Sequence, residues 1–109
     1  MKNLGEPIKG QFLRIAKTAK KRVEVDTQKL REELLQDLKR MFELAKQMTT
    51  TEGIQAKQAQ HWIRIMGYIG QVMNSLAKSF DEAKALSYLE KLERMVRVSE
   101  ENLEGSQTA

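Results

Sequence analysis

At 109 residues, 40% hydrophobic and 31% charged, the chain has the size of one compact domain and is too apolar to be fully disordered. Six Gly and one Pro are too few for the frequent turns of a β-sandwich; the absence of Cys excludes a disulfide framework and thiol chemistry and fits a reducing cytoplasm. The net charge of +4 is uneven: residues 1–22 hold seven Lys or Arg against Glu6, and Lys57, Arg64 and Lys78 are the only charges between Glu52 and Asp81.

A first helix is expected over about 7–22, opening at Pro7, whose missing N–H is harmless at a first helical position. Ile8, Phe12, Ile15 and Ala19 step 4-3-4 with Ala16 beside them, while Lys9, Arg14, Lys17, Lys20 and Lys21 take the other side. The helix is therefore short, basic and amphipathic. From Lys21 to Asp26 the chain reads as strand, loop or helix. Val23 and Val25 alternate with charged neighbours, yet the apolar phase also runs on through Val23 and Thr27 to Leu30. A break is favoured, with Asp26 or Thr27 capping the second helix. Lys21-Arg22-Val23-Glu24-Val25 resembles the start of a ribbon-helix-helix DNA-binding protein. The long helix after it, the helix before it and the missing Gly-x-Ser-type turn depart from that pattern, so no family is assigned.

A second helix is expected over about 27–48, with Leu34, Leu38, Met41, Ala45 and Met48 as its seam and Leu30, Leu35 and Phe42 widening it. Asp37–Arg40, Lys39–Glu43 and Glu43–Lys46 read as pairs on a solvated face. Thr49 and Glu52 have capping-box spacing ahead of a third helix over about 52–79. That helix has the strongest pattern: Ala59, Trp62, Met66, Ile69, Met73, Leu76 and Phe80, with Ile63, Ile65, Val72 and Ala77 as a second strip. Gly67 and Gly70 each cost a helix interior about 1 kcal/mol relative to Ala. They point to close approach by another backbone, within the bundle (the favoured reading) or from a partner chain. Ser79 and Glu82 repeat the capping-box spacing before a fourth helix over about 82–103. Its seam is Ala85, Leu89, Leu92 and Val96, and Glu90–Arg94 and Glu93–Arg97 lace its outside. Gly105 suits a stop.

Short connections make neighbouring helices antiparallel. The expected fold is all-α: an antiparallel three-helix core with an additional short basic N-terminal helix, one helical domain over 1–104 and a disordered tail at 105–109. No apolar run approaches the roughly 18 residues of a membrane span, and no apolar secretory-signal core stands near residue 1.

Catalytic chemistry finds little support. His61 is the only histidine, and Gln58 stands where a Glu-x-x-His metal motif needs its carboxylate. The carboxylates at Glu32, Glu33 and Asp37, at Glu90 and Glu93, and at Glu100 and Glu101 are interleaved with cations rather than gathered in a dry pocket. No Gly-rich phosphate loop is present, since Gly67 and Gly70 lie inside a helix. The expectation is a non-enzymatic binding or assembly protein with no cofactor, metal or small-molecule substrate. Two surfaces offer themselves. One is the basic first helix, with Arg14, Lys17, Lys20, Lys21 and Arg22. The other is an acid-free face of the third helix, where Lys57, His61, Arg64, Tyr68, Gln71, Ser75 and Lys78 recur at heptad steps and Tyr68 offers a ring for stacking. Nucleic acid is the leading partner expected. The alternative is a protein adaptor or homodimer whose basic surface meets an acidic protein. A membrane surface, entered by Ile8, Phe12 and Ile15, ranks third.

Overall fold

The computed structural model describes residues 5–25 and 30–108, with side chains described for 7–23 and 30–97. Among these the chain forms four helices and no strand: α1 Gly5–Val25, α2 Leu30–Thr49, α3 Ala56–Lys78 and α4 Glu82–Thr108. The helices have 21, 20, 23 and 27 residues, so the first is not a short addition to a core of three. It is a full member of a four-helix bundle.

The reason lies in the apolar phase of α1. Phe12, Ala16, Ala19 and Val23 step 4-3-4 and are all fully buried, while Ile8 and Ile15 sit half-buried at the edge. Val23 continues the seam one turn beyond Ala19, and this continuity overrides the strand-like alternation of Lys21 to Val25. The favoured break is absent as far as Val25; the proposed caps Asp26 and Thr27 lie outside the described residues. Pro7 falls in the first turn of a helix that starts two residues earlier, a place where its missing donor does no harm.

The α2–α3 and α3–α4 connections end one helix and start the next with different groups from those the spacing suggests. The Thr49 hydroxyl donates to the Lys46 carbonyl at 2.6 Å, and the Thr51 hydroxyl donates to the Gln47 carbonyl at 2.8 Å. These threonines satisfy carbonyls left over at the end of α2 rather than donors at the start of α3. Gly53 then turns the chain with φ 84°, a conformation that favours glycine. At the head of α3 the Gln55 N–H donates to the Gln58 side chain. Asp81, not Ser79, caps α4: the Lys84 N–H donates to its carboxylate at 3.0 Å. At its other end α4 runs to Thr108, past the end expected near 103.

Around the bundle, α1 packs on α2 and α4, and α3 also packs on α2 and α4. Thus α1 and α3 occupy opposite corners. They meet only through side chains at the centre, where Phe12 sets its edge against Trp62 with ring centroids 5.7 Å apart. The core side of α3 is Trp62, Ile65, Ile69, Val72 and Leu76, which faces both neighbours; Met66, Met73 and Phe80 are half-buried, and Ile63 and Ala77 are exposed. The seams of α2 and α4 are buried where the heptad steps placed them.

Candidate functional site

Cations at the surface of a bundle bind anions only if no acid of the same molecule holds them. Arg14, Lys17 and Lys21, stepping 3-4, are exposed along the outer edge of α1 and form no ion pair among the described residues. Lys20 and Arg22 differ, because their positions turn them sideways to the neighbouring helices. The Lys20 ammonium pairs with Glu93 of α4 at 2.8 Å. Arg22 donates to Asp37 of α2 and lies 3.5 Å from Glu33.

Asp37 is only 1% exposed, and Arg40 also donates to it, at 2.6 Å. Its carboxylate is thus held between two guanidinium groups at the α1–α2 contact rather than on a solvated face. A sequence signal for this existed. Leu30, Leu34, Asp37, Met41, Leu44 and Met48 step 4-3-4-3-4, and Asp37 is the one polar member of that stripe. Beside it an open groove between α1 and α2 is lined by Gln11, Arg14 and Ile15 and by Gln36, Lys39, Arg40, Glu43 and Leu44. Lys39 and Arg40 therefore border the same side of the molecule as Arg14, a juxtaposition that spacing within α2 alone does not reveal.

The heptad face of α3 divides in two. His61, Tyr68 and Ser75 are half-buried in the contact with α4. His61 Nε2 donates to the Met95 carbonyl at 2.8 Å, and the Ser75 and Tyr88 hydroxyls share a hydrogen bond of 3.1 Å. Tyr68 sets its edge on Tyr88 at 6.3 Å, and the Lys91 ammonium stands over its ring at 4.6 Å. Burial pushes the Tyr68 phenol above its ordinary value of 10.0, and Tyr88 adds to this while Arg94 opposes it. The ring offered for stacking is thus half-buried at the α3–α4 contact, with the Lys91 ammonium over it. Lys57, Arg64, Gln71 and Lys78 form the exposed half of the face. Lys91 and Arg94 of α4 join them at the same seam, through their proximity to Tyr68. The within-helix pairs expected on α4 hid this: Glu93 turns to Lys20 instead of Arg97.

Gly67 and Gly70 lie on the outside of α3, and a methyl group added at either would meet no atom within 4 Å. Close packing within the bundle, the favoured reading of these glycines, is therefore not their role. Phe12, one of the three side chains offered to a membrane surface, is in the core. No described helix is long and apolar enough to cross a membrane. Because α1 and α3 occupy opposite corners, the cations of α1 and those of α3 stand on opposite corners of the bundle. No protein-family model matches the chain, and neither does any curated protein or solved structure.

Proposed function

We propose that the protein is a non-enzymatic binding and assembly protein that contacts nucleic acid through the outer edge of α1. The observation that carries this reading is the exposed line of Arg14, Lys17 and Lys21, unpaired among the described residues and spanning about 10 Å of helix at 1.5 Å per residue. Lys39 across the α1–α2 groove extends it sideways. Such a line suits phosphates, because clustered cations displace condensed counterions from a polyanion and gain affinity from their release. It offers no exposed large apolar side chain that would favour a protein surface instead. Lys20 and Arg22 stay with Glu93 and with Glu33 and Asp37, and contribute to the bundle rather than to the contact.

A gel-shift titration at about 50 and about 200 mM salt tests the reading. Affinity for duplex or single-stranded nucleic acid should fall steeply across that interval. Replacing Arg14, Lys17 and Lys21 together by Gln should lower the slope of log affinity against log salt by about 2–3, at roughly 0.7–0.9 per lost phosphate contact. Replacing Lys20 and Arg22 by Gln should leave that slope nearly unchanged. If the intact chain retards no nucleic acid at low salt, the proposal fails.

A further inference from the structure

We infer that the outer face of α3 docks a helix of an acidic partner protein. Gln60, Ile63, Gly67, Gly70, Asn74 and Ala77 step 3-4-3-4-3, so they form one uncharged stripe along α3, and all six are exposed. Ile63 is 56% exposed, the only large apolar side chain so open among the described residues. The two glycines weaken the helix that carries them, and open space around both shows that the bundle does not need them. A second backbone does: small residues at these positions let another helix come close along its length. From Gln60 to Ala77 the stripe runs about 26 Å, the length of a partner helix of five turns.

Charge selects the occupant. Beside the stripe, on the same helix, stand Lys57, Arg64 and Lys78, none of which forms an ion pair among the described residues. A second copy of α3 is a poor fit, since no acid lies between Glu52 and Asp81 and these cations would find none on the facing helix. Nucleic acid would gain from the cations but nothing from a floor of Ile63 and glycine. A helix with small and apolar residues on its inner stripe and Asp or Glu along its flank satisfies both halves of the surface. This face lies at the corner opposite the α1 cations, so it stands or falls independently of nucleic-acid binding.

Fluorescence anisotropy of two labelled synthetic peptides against the full-length chain tests the inference. Both peptides are amphipathic helices of about five turns with an Ala/Leu stripe; one has Glu flanks and the other Lys flanks. The Glu-flanked peptide should bind and the Lys-flanked one should not. Arg64→Glu with Lys78→Glu should weaken binding by tenfold or more. Gly67→Leu should do the same while the variant keeps its helical circular dichroism and melting temperature, because its side chain enters open space. Equal binding of the two peptides, or unaltered affinity in Gly67→Leu, would overturn the inference. So would a dimer in sedimentation that Gly67→Leu dissolves, or duplex binding that survives loss of the α1 cations and disappears in Gly67→Leu.

Discussion

Asp37 is the one buried charged residue among the described ones, and its two guanidinium partners reach it from different helices. The partners are unequal to it in exposure: the Arg22 and Arg40 side chains are 35% and 62% exposed. That asymmetry decides which substitution is worse. Asp37→Ala leaves two arginines that can turn to water, so the loss should be limited to charge-assisted hydrogen bonds, about 1.5–3 kcal/mol. Arg22→Ala with Arg40→Ala strands the carboxylate inside the bundle and should cost more, about 3–5 kcal/mol. Urea unfolding of both variants gives the comparison; equal losses would mean that the carboxylate reaches water once its partners are gone. Tyr68 gives a second expectation at this scale. Its phenol holds its proton more tightly in the folded chain than in the unfolded one, because burial raises its pKa. The corresponding stability is complete below about pH 10 and is lost as pH rises from there through the folded pKa. The wild type should therefore lose stability relative to Tyr68→Phe across that window, with the lysines common to both cancelling. A constant difference in urea midpoint from about pH 9 to about pH 11 would contradict this.

Among the elements, α1 is where patterning and structure part furthest. Its basic composition suggests an appendage, yet composition describes the outside of a helix, and the inside belongs to Phe12, Ala16, Ala19 and Val23. Phe12→Ala should cost about 3–5 kcal/mol, the range for a large buried side chain that leaves a cavity. An α1 that projected into solvent would make the same change nearly neutral, so a thermal melt separates the two. The seams of α2 and α4 were legible because each helix has one narrow apolar stripe. The third helix was legible only in outline. Its apolar arc is wide enough to contain two different seams, and the neighbours α2 and α4 choose Trp62, Ile65, Ile69, Val72 and Leu76, leaving Ile63 outside. Capping by spacing misled at both turns, since hydroxyls and carboxylates at the right interval have more than one backbone group within reach.

For the molecule as a whole, a heptad pattern tells which side of a helix is buried and not which helix covers it. The number of helices and much of their burial were therefore readable from residues, whereas the diagonal placement of α1 and α3 was not. The candidate surfaces inherit that limit. Arg14, Lys17, Lys21, Lys57, Arg64 and Lys78 could be named from charge alone. Lys39, Lys91 and Arg94 enter only through the neighbours the fold provides. The adjacency of α1 and α4 also bears on the order in which the chain assembles. Lys20 and Glu93 are 73 positions apart, so their contact closes a far longer loop than the turns joining α2 to α3 and α3 to α4. Docking of the first helix against the last should come late, after the rate-limiting barrier. Lys20→Ala should then speed unfolding while barely changing the refolding rate in stopped-flow experiments.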